Sequence, residues 1–300
     1  MTQRRQAVIV GGGVIGVSSA YFLSERNWDV TLVEKGSTGG GCSHGNCGLI
    51  CPSDVLPLAS PGAIRKTLAA MCRGRSPLYI KPLLTPRLWS WLLKFAVRCN
   101  THDMVASAHG RMSLLEPSML MYQQLFDRLE IDCEWQQKGL LYVFQSQKGL
   151  DAYSLTDETL GEEFGLSAKR LESQELHCLD PSLKDAVAGA WYYEDDGHLR
   201  PDRLMSEWKR VLTEAGVQIH ENTEMQGLGV RHGTVVSVET SSGDFEADAV
   251  LIATGAMAAQ MHRHMGVRLP IEPGKGYSIT MSRPSVCPEL MIRMLLVGYC

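Results

Sequence analysis

The run "VIVGGGVIGVSSAYFL" near the start of the chain constrains the fold more than any other stretch. Ala7 to Val10 is a short apolar segment that ends in glycines, the pattern of a strand buried in a parallel sheet. Apolar spacing then predicts a helix from Val14 to Arg26, and "DVTLVEK" (Asp29 to Lys35) predicts a second strand. Between strand and helix, Gly11, Gly13 and Gly16 form G-x-G-x-x-G. The second strand ends in an acid, Glu34. In this setting the first glycine permits a tight turn, the second lets backbone approach a diphosphate, and the third lets helix and strand pack closely. The helix start offers unpaired N–H groups and partial positive charge to the anion. Glu34 is placed to accept hydrogen bonds from ribose hydroxyls, which disfavours the 2′-phosphate of NADP and leaves FAD or NAD. Val14, Ile15 and Lys35 flank these positions and complete the candidate nucleotide-binding set.

The next segment separates the two cofactors. "EKGSTGGGCSHGNCGLICPSDV" continues as a glycine-rich loop where an NAD domain would carry on into its next helix, so FAD is the expected cofactor. The loop also carries Cys42, Cys47, Cys51 and His44. A zinc or iron–sulfur centre wants four ligands at more regular spacing, so these cysteines are expected to be small packing residues and no metal is expected.

At 300 residues and 44% hydrophobic the chain can bury a substantial core, and a net charge of -4 gives no reason to expect a polyanion. Nucleic-acid binding is therefore not expected. Nine cysteines without a C-x-x-C pair, and no secretory leader in "MTQRRQAVIVGGG", point to the reducing cytoplasm. No apolar run reaches the roughly 18 residues of a membrane span. "PRLWSWLLKFAVRC" (Pro86 to Cys99) predicts an apolar helix with Arg87, Lys94 and Arg98. It reads either as a helix buried between domains or as one lying on a membrane surface.

A connection punctuated by Pro52, Pro57, Pro61, Pro77, Pro82 and Pro86 follows the loop. Helical periodicity runs from Met104 to Leu129, "GLLYVFQS" (Gly139 to Ser146) reads as a strand, and helices are expected over 148–164 and, within "SQELHCLDPSL", from Ser173 to before Pro181. "AGAWYYEDDGHLRP" reads as a strand entering a turn, and Pro201 suits the first turn of a helix reaching Ala215. "VQIHENTEM", "VVSVETSSGDFEA" and "DAVLIATGA" are strand candidates.

With these residues in view, the chain resembles the flavin amine dehydrogenase and oxidase family, which includes D-amino-acid dehydrogenase, D-amino-acid oxidase, glycine oxidase and sarcosine oxidase. Ser43, Asn46 and Gly48 stand where that family has a Ser-x-x-Asn-x-Gly-like loop beside the flavin. "DGHLRPDRL" is similar to its segment before a helix that returns to the flavin domain. "ADAVLIATGA" is similar to its second flavin-contacting strand and turn, through Ala253, Thr254 and Gly255. "LPIEPGKGYSITM" resembles the stretch that enters its substrate-domain sheet. The likeness spans most of residues 7 to 281.

The resemblance implies an α/β fold: a Rossmann-like FAD-binding domain interleaved with an α+β substrate domain on a mostly antiparallel sheet. The expected parts are 1–80 and 196–260 for FAD, and 81–195 and 261–300 for substrate. It also implies oxidative deamination of D-amino acids to 2-oxo acids and ammonia. Electrons would pass to a quinone or respiratory carrier, with a peripheral contact at the inner face of the cell membrane. A glycine or sarcosine type of oxidase using oxygen is the alternative within the family, and a shortened, non-catalytic flavin-fold protein is the alternative outside it. Tyr277 is the expected pocket residue, with Lys275 nearby; His44 is expected as a polar residue of the flavin loop, and Arg200, with His198, reads either as a ligand contact or, more simply, as an exposed residue at the helix start. Family members continue past "MIRMLLVGYC" with a further flavin loop and a final helix, so the chain is expected to be C-terminally shortened and without the carboxylate-binding arginine.

Overall fold

β1 (Gln6–Val10) buries four consecutive side chains, as an unbroken Ala-Val-Ile-Val run inside a parallel sheet requires. In this computed structural model, which describes residues 4–72, 80, 85–184 and 186–294, the chain next enters α1 (Val14–Ser24) and β2 (Asp29–Val33). After the glycine-rich loop come β3 (Leu49–Ile50), α2 (Ala63–Cys72), α3 (Pro86–Val97) and the 29-residue α4 (Thr101–Leu129). Then follow β4 (Leu140–Phe144), α5 (Gln147–Ala152), α6 (Ser154–Phe164), β5 (Lys169–Glu172), α7 (Ser173–Leu179), β6 (Gly189–Tyr193) and β7 (Gly197–His198). The remainder is α8 (Pro201–Glu214), β8 (Gln218–His220), β9 (Met225–Arg231), β10 (Thr234–Thr240), β11 (Gly243–Glu246), β12 (Ala249–Ile252), a 3-10 turn at Gly255–Met261, α9 (His262–Met265) and β13 (Met291–Met294). Pro77, Pro82 and the tail after Met294 lie outside the described residues.

The chain divides into two compact units. One comprises Met1–Gly48, Phe126–Glu134 and Leu199–Ile279; the other comprises Leu49–Leu125, Trp135–His198 and Thr280–Cys300. The first unit holds a parallel sheet of order β12-β1-β2-β8 and an antiparallel sheet of order β11-β10-β9. α8 starts with Pro201 at its first turn and buries Leu204, Met205, Trp208, Val211 and Leu212, one apolar face at helical spacing. Trp208 is almost wholly buried and tilts against Tyr21 of α1 at 5.6 Å between ring centroids.

The second unit is built on the sheet β13-β4-β6-β5, antiparallel except for the parallel β13/β4 pair. All five residues of β4 are buried. One face packs Tyr142, Phe144, Tyr153, Trp191 and Tyr193 together with Leu150, Leu160 and Phe164. The opposite face packs Leu141, Val143, Leu171, Leu176 and Ala190.

Four expectations are corrected. The helix expected over 148–164 is broken at Tyr153, whose ring is buried and whose hydroxyl lies 3.0 Å from that of Tyr193. β9 falls between the strand candidates "VQIHENTEM" and "VVSVETSSGDFEA", with only its first residue in the former. Its glycines leave room for neighbours on β10: a Cβ at Gly227 would lie 2.3 Å from Glu239 Oε2, and one at Gly229 2.1 Å from Ser237 Oγ. The stretch from Leu269 to Met281 carries no strand. The first crossing between units falls after Gly48 rather than near residue 80, because β3 pairs with β7 and the segment after it joins the core around Val55.

Candidate functional site

In the first unit, β1 ends in a turn that only glycine can make. Gly11 has φ +112°, and a Cβ there would lie 2.5 Å from the Ala253 carbonyl oxygen. A Cβ at Gly16 would lie 1.8 Å from the Gly11 carbonyl oxygen, so α1 can start this close to the sheet only with glycine at that position. Ala253 donates its N–H to Val10 at 2.7 Å, which brings the end of β12 beside the turn. The next residue, Thr254, has its hydroxyl oxygen buried with no hydrogen-bond partner among the described residues. Gly255 follows with φ +53°.

Glu34, half-buried at the end of β2, accepts the N–H of Gly12 at 2.7 Å and that of Gly36 at 2.9 Å, one on each oxygen. Its backbone is also held, by His220 and Thr223, each at 2.9 Å. Each carboxylate oxygen keeps a further lone pair, which suits vicinal ribose hydroxyls. No acidic residue stands in the first turn of α1, so the partial positive charge there is not offset by the helix itself.

The loop from Gly36 to Gly48 folds back onto this turn. Gly39 donates to Gly12 O at 2.8 Å, and Ser43 Oγ accepts the N–H of Val14, the first residue of α1, at 2.9 Å. Ser43 thus stands at the start of the helix. Asn46 Oδ1 accepts the N–H of Gly48 at 2.8 Å, a local turn closed by its own side chain. Gly48 has φ +74° and is bonded to Leu199 through its carbonyl at 2.9 Å. His44, Lys35, Cys42 and Cys47 are exposed. The expectation that the loop cysteines serve packing therefore holds only for buried Cys51, because the other two have no core to enter.

The second unit contains a polar cluster that sequence reasoning did not foresee. Asp196, 1% exposed, accepts the Ser53 hydroxyl at 2.5 Å and the Ser53 N–H at 3.2 Å. Burial outweighs these bonds and pushes its carboxyl up to about 6. Burial likewise raises the Cys51 thiol, which shares this carboxylate as a hydrogen-bond partner. Arg293 of β13 pairs with Asp54 at 3.3 Å, donates to the Tyr142 hydroxyl at 3.1 Å and lies 5.3 Å above that ring. Arg111 donates to the Asp54 carbonyl at 2.5 Å. The sequence signal for Asp196 was present in "YYEDDG", but three adjacent acids do not reveal which one turns inward.

Other expected residues stand as follows. Tyr277 is 87% exposed, with the Lys275 ammonium 5.0 Å from its ring centroid. Arg200 forks onto Asp202 at 2.5 and 3.2 Å at the start of α8, which accounts for it structurally. His198 is half-buried, and burial lowers its tendency to protonate.

The shape of the turn and its unused polar groups suit FAD. Gly11 and Gly16 let strand, turn and helix approach closely, Gly13 carries no side chain at the helix start and has Ser43 Oγ beside it, Glu34 offers lone pairs to a ribose, and Thr254 Oγ1 lacks a partner among the described residues. The residues present fit the group.

Comparison with known proteins agrees with this geometry. The FAD dependent oxidoreductase (DAO) family matches residues 6–295. The chain is 28% identical over 280 residues to a D-amino acid dehydrogenase of Vibrio vulnificus (strain YJ016), covering 92% of this chain and 67% of the relative. It is 28% identical over 285 residues to a D-amino acid dehydrogenase of Helicobacter pylori (strain ATCC 700392 / 26695), covering 94% and 67%. Among solved structures, glycine oxidase from Geobacillus kaustophilus aligns with a TM-score of 0.62 at 24% identity, covering 89% of this chain and 60% of that one. Glycine oxidase from Bacillus cereus ATCC 14579 aligns at 0.61 and 22%, covering 87% and 58%. The chain therefore spans about two thirds of these curated relatives and less of the solved ones, and with a glycine turn, acid and returning strand arranged for FAD it belongs to the FAD dependent oxidoreductase (DAO) family.

Proposed function

We propose that the protein is an FAD-dependent D-amino-acid dehydrogenase, oxidising a D-amino acid to the 2-oxo acid and ammonia. What carries the reading is the 28% identity, over 92% of the chain, to proteins named D-amino acid dehydrogenase. FAD held there would accept the Cα hydrogen of the substrate with two electrons, and water would release ammonia from the oxidised amine. Gly11, Gly13, Val14, Ile15 and Gly16 hold its diphosphate at the start of α1, and Glu34 with Lys35 holds the adenosine side. Ser43, His44, Asn46 and Gly48 form the covering loop, and Ala253, Thr254 and Gly255 close the other side of the turn. Tyr277, exposed with the Lys275 ammonium over its ring, contributes to holding the substrate carboxylate.

A quinone or respiratory carrier is the proposed electron acceptor, which places the protein in the cytoplasm and in peripheral contact with the inner face of the cell membrane. No helix among the described residues is long and apolar enough to cross a membrane.

The test is anaerobic mixing of the flavin-loaded chain with D- and L-alanine, followed by a quinone analogue or by oxygen. Bleaching by the D-isomer with pyruvate formed, and reoxidation by quinone without peroxide, supports the reading. Peroxide formation would instead indicate an oxidase, and no bleaching by any D-amino acid would sink the proposed reaction.

A further inference from the structure

Residues 55–102 contain eight lysines and arginines and no aspartate or glutamate, in a chain whose net charge is -4. Such a block creates a local positive field that the overall charge conceals. Inside it lies α3, a 12-residue helix with no fully buried side chain.

The outward side of α3 is divided into two stripes. Trp89, Leu93 and Val97, four residues apart, are 51%, 68% and 75% exposed and form an apolar line along the helix. Arg87, Lys94 and Arg98 form the neighbouring line and are exposed too. Leu88, Trp91, Leu92 and Phe95, partly covered, occupy the remaining side. This differs from an ordinary surface helix, where the apolar side faces the core and the rest is polar. Here an apolar strip stays in water beside basic side chains on a helix that carries no acid of its own, and Arg98 at its end pairs with Asp103 of α4 at 3.3 Å.

We infer that α3 is a docking surface for an anionic phospholipid bilayer, lying flat with Trp89, Leu93 and Val97 among the upper acyl carbons and Arg87 and Lys94 reaching the headgroup phosphates. Charge decides the occupant, because a basic block without acids is complementary to an anionic leaflet. The helix chemistry agrees: Trp favours the interface, and Lys and Arg extend their charges outward from an apolar stem. At about 1.5 Å per residue the helix is some 18 Å long, too short to cross the hydrocarbon layer. Leu58 and Leu68, exposed in the same basic block near Arg65 and Lys66 in sequence, extend the same composition.

The inference deepens the peripheral-membrane part of the proposed function and rests on it, yet it is read without turnover. The purified chain is sedimented with vesicles of phosphatidylcholine alone, or with about 30 mol% phosphatidylglycerol, alongside Leu93→Glu and Lys94→Glu. Both substitutions fall at exposed positions, and thermal melting checks that the variants fold. Binding to the phosphatidylglycerol vesicles only, reversed by high salt and weakened at least about tenfold by either substitution, is the expected result. A folded chain that stays in the supernatant, or that binds equally well in both variants, would overturn the inference. So would a chain that self-associates through this stripe in gel filtration without binding vesicles. Since neither flavin nor substrate enters this assay, its failure is distinguishable from failure of the proposed reaction.

Discussion

Glu34 accepts the backbone N–H of Gly12 at 2.7 Å, so the acid that ends β2 is tied to the turn that follows β1. The same carboxylate accepts from Gly36. Its charge thus has a structural role before any nucleotide binds. Replacing Glu34 with Gln keeps one acceptor and turns the other into a donor facing a donor. We expect FAD affinity to fall about tenfold or more, with a stability loss of about 1–3 kcal/mol. Titration of the flavin-free chain with FAD and a thermal melt would measure the two effects separately. Unchanged affinity would remove Glu34 from the ribose site.

At Gly16 a Cβ would lie 1.8 Å from the Gly11 carbonyl oxygen, which is backbone and cannot rotate aside. Gly16→Ala is expected to push α1 away from β1, cost roughly 1–3 kcal/mol and abolish flavin retention. Flavin absorbance per protein is the readout. Gly255→Ala has open space around its Cβ and a positive φ of 53°. It is expected to cost only about 1 kcal/mol while the flavin is retained.

Gly48 sits where the glycine-rich loop ends. Its φ of +74° is unfavourable for other residues, and a Cβ would lie 2.0 Å from the Leu199 carbonyl oxygen. Gly48→Ala is expected to destabilise by a few kcal/mol, roughly the sum of backbone strain and overpacking. Asn46→Ala removes only the closing hydrogen bond and should cost about 1 kcal/mol. Denaturant melts of the two variants should rank in that order.

Asp196 provides a pH signature. Its folded-state carboxyl, raised to about 6 by burial, lies above the ordinary value of 3.8. The folded chain therefore holds this proton more tightly than the unfolded chain. The associated stability is present below about pH 4 and is lost as pH rises through about 6, a loss on the order of 2–3 kcal/mol. Asp196→Asn removes the titration. The difference in unfolding free energy between variant and parent should therefore shift in the variant's favour from pH 4 to pH 7, and a difference that stays flat would contradict the burial-driven shift.

The nucleotide-binding half of the fold was legible because its constraints are local. Gly11, Gly16 and Glu34 act within one βαβ unit, and α8 announced itself through Pro201 at its first turn. What was illegible depends on distant partners. Gly227 and Gly229 weaken a strand by propensity, yet they sit opposite Glu239 and Ser237, whose side chains need the space. Ser53, Asp196 and Arg293 belong to one cluster only after β3, β7 and β13 have been placed in the same unit. Tyr277 shows the opposite limit. The stretch around it resembles one that enters a sheet in the family, but no strand forms there and the ring is exposed.

The most direct measurement is the flavin content of the purified chain after incubation with excess FAD and gel filtration, with the released cofactor identified by mass. One FAD per chain, lost in Gly16→Ala, is the predicted result. A folded chain that elutes colourless, or that holds flavin equally well in Gly16→Ala, would contradict the assignment of the Gly11 to Gly16 turn as the FAD site.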